Sequence, residues 1–343
     1  MTPRRSLPLD VIRGVVDVTP TPAASVPASP REGVVAAAAM CRATMERLRD
    51  SKPAAVWPPP CPVLPALRRA YEGPAGSMPI TSDMCFAQRY EGHNVLEWSE
   101  SFIEEKMRGL AARTDPGTYS MFEVDQVSWV FEKYADIVQG AVGLVMGSEF
   151  PWVEALALNA GAATVWTFEY STIVSSHPRL KAQHCQAIAT DYLSGAFPAV
   201  DFIASFSSLE HSGLGRYGDE LNPDGDLEAL RQAWCMLRPG GVLALGVPMS
   251  CAPDGYIEYN AHRVYGLTRL AYIADDFEFL EFESGECRTF LQPDNPNFAP
   301  QAIAIFRKPI SGVSAAAARR EQPMVFPLGE SRERLQRKAA ASV

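Results

Sequence analysis

The sequence lacks an apolar run that approaches the roughly 20 residues needed to cross a bilayer. The longest candidate, residues 34–40, is short and consists mostly of alanine. The first residues carry arginines, but Asp10, Asp17 and several prolines argue against an import signal. We therefore expect a soluble, cytoplasmic protein without a membrane span, and import into an organelle is the alternative.

The seven cysteines lack the CxxC and CxxH spacings that are typical of zinc sites. They are scattered through the chain, and an odd number favours free thiols in a reducing compartment. The sequence therefore predicts reduced cysteines and no metal site.

Positive charge is scarce, and so are phosphate-binding glycine patterns. The formal net charge is −9, whereas a nucleic-acid-binding domain is usually basic. The pattern GxxxxGK[ST] is absent, and the first predicted strand is followed by the single Gly147 rather than by GxGxxG. These absences argue against a nucleic-acid partner, a P-loop enzyme and an NAD-dependent enzyme.

Composition divides the chain into four parts. Residues 1–66 hold 12 of the 28 prolines, which predicts a flexible Pro/Ala-rich leader with one helix near residues 34–49. Residues 67–139 are expected to form a helical preface, with helices near 96–112 and 121–138. This preface packs on a sheet or, alternatively, forms a lid. Residues 140–308 are the main domain, and the basic residues 309–343 are a loose tail.

Strand-like and helix-like patterns alternate through residues 140–308. Strands are predicted near 142–147, 164–169, 186–190, 201–206, 242–247, 277–283 and 301–306, and helices near 151–160, 226–237 and 261–274. Such alternation predicts a doubly wound α/β sheet. In it, the strand that ends at Gly147 should lie beside the strand that ends at Glu169.

Residues 201–248 are the most informative part of the chain. An apolar run, a Gly-rich loop, a helix-like stretch, an Arg-Pro-Gly-Gly turn and a second apolar run follow one another. This order predicts a right-handed βαβ unit. Its first strand is the fourth of the sheet and ends beside the expected reaction centre.

Residues at the carboxyl ends of the predicted strands are candidates for holding a nucleoside cofactor, because ligands of such sheets bind there. Gly147 lets a ligand approach the backbone, and Glu169 is placed to accept hydrogen bonds from ribose hydroxyls. Asp191, at the predicted end of the third strand, would reach an adenine amino group. Each also has an ordinary explanation as a strand terminus or turn cap. The predicted cofactor-binding set is Gly147, Ser148, Glu169, Tyr170, Asp191 and Ser207.

A second group of candidates faces the substrate. His211 is predicted to take a proton from a hydroxyl or amine, because imidazole titrates near neutrality. Arg216 is predicted to bind a carboxylate or phosphate. Alternatively, Glu210 and His211 cap the loop and Arg216 pairs with Asp219. The catalytic candidates are His211, Glu210 and His262, and the substrate-binding candidates are Arg216, Tyr217 and Arg263.

Several phrases carry a family resemblance. LRPGGVLAL resembles the turn before the fifth strand of class I S-adenosylmethionine-dependent methyltransferases. GSEFPWVEALALNAGA, SSLEHSGLGRYGD, LRPGGVLALGVP and YNAHRVYG are together similar to the family DUF268. The resemblance implies a Rossmann-like methyltransferase fold and S-adenosyl-L-methionine as the cofactor.

The expected function is therefore methyl transfer from S-adenosyl-L-methionine to a small molecule or glycan. One loop departs from ordinary methyltransferases. Residues 146–152, MGSEFPW, carry bulky aromatic residues where those enzymes have a glycine-rich loop. A non-catalytic binding or scaffold protein with the same fold is the alternative.

Overall fold

A computed structural model describes residues 30–54, 58–72, 78–86, 95–250, 252–285 and 301–313. Within them the helices are α1 (Pro30–Arg49), α2 (Pro65–Tyr71), α3 (Glu100–Ala111), α4 (Met121–Lys133), α5 (Ala135–Val138), α6 (Trp152–Asn159), α7 (Cys185–Ser194), α8 (Gly225–Met236) and α9 (Leu267–Asp276). The strands are β1 (Ile80–Asp83), β2 (Leu96–Trp98), β3 (Val142–Met146), β4 (Thr164–Glu169), β5 (Ile173–Ser175), β6 (Leu180–His184), β7 (Val200–Phe206), β8 (Leu237–Pro248), β9 (Tyr256–Tyr259), β10 (His262–Val264), β11 (Glu278–Phe282) and β12 (Gln301–Arg307).

The main sheet has seven strands in the order β11-β12-β8-β7-β3-β4-β6. Its neighbours run parallel except for β12, which is antiparallel to both β8 and β11. If these seven strands are renumbered along the chain, the order from the opposite edge is 3-2-1-4-5-7-6. The first five positions follow the Rossmann order. The doubly wound fold is confirmed, and so is the pairing of β3 with β4.

Helices cover both faces of this sheet. α3 to α6 lie on one face, whereas α1, α7, α8 and α9 lie on the other. The alternation of side chains along β3 serves both cores, because Leu144 and Met146 join one of them and Val145 joins the other. None of the helices in the described residues is both long and apolar enough to cross a membrane.

The predicted third strand is wrong. Residues 186–190 belong to α7, and the strand that pairs with β4 is β6, which ends at His184. A short apolar run cannot by itself be told from a buried helix. Here Cys185, Ile188 and Ala189 are buried at helical spacing, and the backbone N–H of Gln186 donates to His184 Nδ1 at 3.3 Å, which caps the helix.

Two predicted helices begin later than expected. Residues 96–98 form β2, which pairs with β5, and α3 begins only after the capping residue Ser99. Residues 262–264 form β10, and α9 begins at Leu267. In both places a short strand precedes the helix, and the apolar pattern runs on from one into the other.

The helix predicted near residues 34–49 is present as α1, and it is packed rather than loose. Thr44 and Met45 are fully buried against α7 and α8. The rest of the predicted leader up to residue 29, and the predicted tail from residue 314, lie outside the described residues.

A small second sheet, β1-β9-β10, packs with α2 on the loop that follows β7. We call β1, α2, β9 and β10 the cap. Its core holds Tyr71 and Tyr259 from the cap and Leu214 from the loop. The Tyr71 hydroxyl also donates to the Gly213 carbonyl. The cap therefore fixes the loop that carries the predicted substrate-facing residues.

The expectation of reduced cysteines is wrong for four residues. Cys41 pairs with Cys235, and Cys61 pairs with Cys85, with Cα separations of 5.4 and 5.5 Å. The first disulfide joins α1 to α8, and Cys185 is free and buried. Sequence spacing could not reveal these pairs, because packing alone brings Cys41 to Cys235. Disulfides are typical of oxidising compartments, so the cysteines no longer support the expected cytoplasmic location.

A buried ionic cluster joins the start of α8 to α9 and β10. Asp226 and Arg263 are fully buried. Arg269 Nη2 donates to Asp226 Oδ1 at 2.5 Å, and the Tyr265 hydroxyl donates to Oδ2 at 2.9 Å. Burial alone would raise the pKa of Asp226, but the charges of Arg263 and Arg269 outweigh it and hold the pKa at about 2. Asp226 is therefore ionised in the folded protein.

Replacing Asp226 by Asn should destabilise the protein by about 3–5 kcal/mol, because two buried guanidinium groups lose their counter-charge. Asp224→Asn is the matched control: its carboxylate is exposed and pairs with Arg269, so we expect a loss of about 1 kcal/mol or less. Urea unfolding followed by circular dichroism measures both. The Asp226 contribution should be present above its unfolded pKa of 3.8 and disappear as the pH falls towards about 2. Equal effects of the two substitutions would contradict the role given to Asp226.

The disulfides predict a labelling pattern. In denaturant without reductant, maleimide should label Cys185 and spare Cys41, Cys61, Cys85 and Cys235. Reductant should expose all four. Peptide mapping by mass spectrometry checks both the labelling and the pairing, and labelling of Cys41 in the non-reduced protein would rule out the α1–α8 link.

Candidate functional site

Two loops meet where the strand order of the main sheet reverses. Gly147 follows β3 and Ser207 follows β7, and the crevice between two such strands is where doubly wound sheets bind ligands. Gly147 has a φ of +74°, and a Cβ there would collide with the Ser208 hydroxyl. The close approach of Ser208 therefore requires a glycine at this position.

A buried glutamate fixes the loop after β3. Ser148 Oγ lies 3.0 Å from Glu154 Oε2, and the Thr167 hydroxyl donates to Glu154 Oε1 at 2.8 Å. Glu154 stands in the first turn of α6 and is fully buried, which raises its pKa to about 7. The loop 147–151 is therefore tied to both α6 and β4.

Glu169 lies at the end of β4, beside that loop. Its side chain is buried, and Oε1 accepts a hydrogen bond from the Tyr170 N–H at 2.8 Å. Burial raises the pKa of Glu169 to about 7; the charge of Glu149 adds to the rise and neighbouring backbone amides oppose it. Phe150, in the loop after β3, and Tyr170, directly after Glu169, are 56% and 52% exposed.

His184, rather than Asp191, ends the third strand. It stands opposite Glu169 in the β4–β6 register, and its ring lies 6.4 Å from that of Tyr170. Asp191 lies inside α7, where its Oδ2 accepts a hydrogen bond from Gln183 Nε2 at 2.7 Å. The positional argument that made Asp191 a cofactor ligand is therefore lost.

A chain of hydrogen bonds follows β7. Gln301 Nε2 donates to Ser207 Oγ at 2.5 Å, and Ser207 Oγ donates to Glu210 Oε1 at 2.9 Å. Ser207 has a φ of +53°, which residues other than glycine rarely adopt. Among the described residues, Glu210 Oε2 has no hydrogen-bond partner, although the side chain is almost completely buried. Burial raises the pKa of Glu210 to about 7.

His211 is bonded to the backbone. Its Nδ1 lies 2.5 Å from the Ala261 carbonyl, and because a carbonyl only accepts, Nδ1 must carry the proton. Its Nε2 lies 3.6 Å from Glu210 Oε1. Burial lowers the pKa of His211 to about 3; the hydrogen bond to Ala261 opposes this shift, and the charge of Arg216 adds to it. His211 is therefore neutral near pH 7 and has the bond expected of a structural histidine.

His262 reaches the same place from the cap. Its ring lies 6.3 Å from that of His211, and its Nε2 lies 3.2 Å from Glu258 Oε2 on the neighbouring strand β9. Burial, followed by the charge of Arg216, lowers the pKa of His262 to about 4. Burial also raises the pKa of Glu258. Two neutral imidazoles therefore meet between the loop and the cap.

Arg216 is the positive charge of this cluster. Its guanidinium lies 4.8 Å from the Phe86 ring centroid and 5.0 Å from that of Tyr217. Its charge acts on both His211 and Glu210. The structure therefore brings Glu210, His211, Arg216, Tyr217 and His262 together, as the sequence predicted.

Arg263 is not part of this group. It is fully buried and donates to the carbonyls of Ser212 at 2.5 Å and Pro223 at 3.0 Å, with longer bonds to Glu210 and Asn222. A guanidinium committed to four loop carbonyls holds the loop in place. The position of Arg263 therefore gives no support to its predicted role in substrate binding, because alternation along β10 places it in the core and its neighbour His262 towards the cluster.

Sequence reasoning missed several residues of the site. Glu258 and Gln301 lie outside the phrases that resemble DUF268, whereas Ser208 and Glu154 lie inside them but had no predicted role. Glu154 also had a signal of its own, as a single charge inside the apolar helix WVEALALN. No cluster of three or more metal-ligating side chains occurs in the part of the chain that the structure describes.

Solved structures show distant likenesses. The 1,6-didemethyltoxoflavin-N1-methyltransferase of Burkholderia thailandensis, with bound 1,6-didemethyltoxoflavin and S-adenosylhomocysteine, is 17% identical with a TM-score of 0.40, covering 61% of this chain and 86% of that chain. The N-methyltransferase NodS of Bradyrhizobium japonicum WM9, in complex with S-adenosyl-L-homocysteine, is 16% identical with a TM-score of 0.37, covering 60% and 98%. At these values the strand order, rather than the likeness, carries the fold assignment.

Sequence comparison finds a similarity to one family model. No curated protein matches the chain in sequence. The model of the family described as "Caenorhabditis protein of unknown function, DUF268" matches residues 140–300, which span the main sheet from β3 to the segment before β12. This part of the chain, slightly less than half of its length, is similar to DUF268, and its strand order is Rossmann-like.

Proposed function

We propose that the protein is an S-adenosyl-L-methionine-dependent methyltransferase that acts on a small molecule or glycan. One observation carries the proposal. A buried carboxyl group, Glu169, ends the strand on one side of β3, and the cluster around Glu210 follows the strand on the other side. A nucleoside and a methyl acceptor would thus meet above β3.

The residues at the end of β4 fit a nucleoside. Glu169 offers acceptor oxygens for ribose hydroxyls, and the exposed rings of Phe150 and Tyr170 offer apolar surface to a base. Gly147, Ser148 and Ser207 line the crevice towards the acceptor side. When bound there, S-adenosyl-L-methionine would supply an electrophilic methyl group. The protein's main contribution would be to align an acceptor with it.

The cluster after β7 fits an acceptor. Arg216 and Tyr217 would orient it, and Glu210, His211 and His262 are the groups available to receive a proton. The cap covers this cluster, which supports an acceptor small enough to be enclosed, or one sugar unit of a larger glycan.

A non-catalytic binding or scaffold protein is the second candidate. The contact between Gly147 and Ser208 favours it, because Ser208 lies where a glycine-rich loop would otherwise leave room for a ligand. The two candidates differ in a measurable property, namely affinity for the methyltransferase product.

Glu169→Gln should weaken the binding of S-adenosyl-L-homocysteine at least about tenfold, since a charge-assisted hydrogen bond contributes about 1.5–3 kcal/mol. Calorimetry above pH 7, where Glu169 is ionised, measures this on the full chain. Glu132→Gln, an exposed carboxylate on α4, is the matched control and should bind like the wild type. Unchanged affinity in Glu169→Gln would reject its role at the ribose. A wild type that does not bind would favour the scaffold.

A further inference from the structure

We propose that Glu210 Oε2 is the proton acceptor of this site, that the methyl acceptor is a hydroxyl group, and that His211 is a positioning residue. This inference rests on the proposed methyl transfer and names its acceptor chemistry. It stands on the unpartnered oxygen of Glu210, on the direction of the hydrogen bonds around it and on the charge of Arg216.

The orphan oxygen of Glu210 points to a missing donor. Its side chain is 1% exposed, yet Oε2 has no hydrogen-bond partner among the described residues. Buried polar atoms are rarely left unpaired, because each costs about 1–3 kcal/mol. Gln301 Oε1, two hydrogen bonds away along the same chain, is also unpartnered. Both orphans are acceptors, so the group that satisfies them must donate.

The hydrogen-bond directions favour Oε2 for this role. Because the Gln301 amide N–H donates to Ser207, the Ser207 hydroxyl turns its own proton to Glu210 Oε1. Oε1 therefore already accepts a hydrogen bond, whereas Oε2 accepts none. Oε2 is thus the open position for a proton that arrives from a ligand.

His211 is poorly suited to take the proton. Its Nδ1–H is committed to the Ala261 carbonyl, which joins the loop to the β9–β10 turn of the cap. Burial and the charge of Arg216 keep its pKa at about 3, whereas burial brings the pKa of Glu210 to about 7, where a general base works best near neutrality. His211 thus holds the loop, and Glu210 receives the proton.

The charges around Glu210 favour a hydroxyl over an amine. The titratable and charged groups that act on it or respond to it are Arg216, Tyr217, His211, Tyr119 and Tyr265. Arg216 is the cation among them. It would repel an ammonium group, whereas it would stabilise an oxygen that becomes negative as it loses its proton.

The step balances without a further reactant. The hydroxyl oxygen forms a bond to the methyl carbon while the carbon–sulfur bond breaks, and the bonding pair remains on sulfur. The hydroxyl proton passes to Glu210 Oε2. Solvent then removes this proton after the product leaves.

An infrared titration tests Glu210 without turnover. Difference spectra across neutrality are recorded on the full chain for the wild type, Glu210→Gln and Glu154→Gln. We expect Glu210→Gln to remove a carboxylic-acid band that titrates near pH 7. Glu154→Gln should remove a different band, because both Glu154 oxygens lie beside a hydroxyl. A spectrum unchanged by Glu210→Gln would overturn the proposal.

Methyl transfer tests the acceptor class. Methyl-labelled S-adenosyl-L-methionine is offered with two hydroxyl probes, methyl glucoside and phenol. Two amine probes are tested beside them: aniline, and N-methylglucosamine, which carries an amine and hydroxyl groups in one molecule. We expect label on hydroxyl oxygen only. Glu210→Gln should lower the rate by about 10²–10⁴ and His211→Asn, whose amide can still donate to Ala261, by about tenfold or less. The wild-type rate should rise with pH and level off near 7, and this dependence should vanish in Glu210→Gln.

The outcomes separate the two proposals. Label on nitrogen, or a larger loss in His211→Asn than in Glu210→Gln, would overturn the role of Glu210 while methyl transfer stands. If the wild type binds S-adenosyl-L-homocysteine but labels no hydroxyl probe, the assignment of a hydroxyl acceptor is overturned. Failure of the wild type to bind S-adenosyl-L-homocysteine would instead remove methyl transfer itself, and the assignment of Glu210 as its proton acceptor would fall with it.

Discussion

The ionised carboxylate of Asp226 makes it possible to bury two arginines beneath the site. One of them, Arg263, donates hydrogen bonds to carbonyls at both ends of the loop after β7. Without a counter-charge, that guanidinium would be too costly to hold in the interior. The position of Glu210 and of the residues that follow it therefore depends on the ion pair between Asp226 and Arg263, which lies in the core beneath the loop.

The carboxyl groups nearer the crevice have their pKa shifted in the direction opposite to that of Asp226. Asp226 has two cationic neighbours and keeps a low pKa, whereas Glu154, Glu169 and Glu210 have mainly neutral hydrogen-bond donors and a pKa near 7. A carboxyl whose folded pKa is raised stabilises the fold at low pH and loses that contribution as the pH rises towards 7. The crevice is thus built from acids that exchange protons near neutrality.

The sequence carried enough information for the sheet and too little for the cap. Periodicity located every strand of the main sheet except β6, because a buried helix and a buried strand share the same short apolar run. Strand-end positions correctly grouped Glu210, His211 and His262. Strand-end position did not indicate where Arg263 lies, because side chains alternate along the three-residue strand β10 and Arg263 is on the side that faces the core. Glu258 and Cys235 were beyond reach, since their partners are set by packing between elements far apart in the chain.

The pairing of β1 with β9 has a consequence for how the molecule can be divided. Ile80 stands opposite Ile257, so five of the seven strands of the main sheet, β3 to β8 without β5, lie between the two strands in sequence. Contacts of such long range close late in folding, after the local βαβ units are available. A fragment that starts at residue 140 would keep Glu169 and the central strands but lose β1 and α2. The segment that matches the family model is therefore shorter than the segment that a transfer of the complete cap and loop to another protein would require.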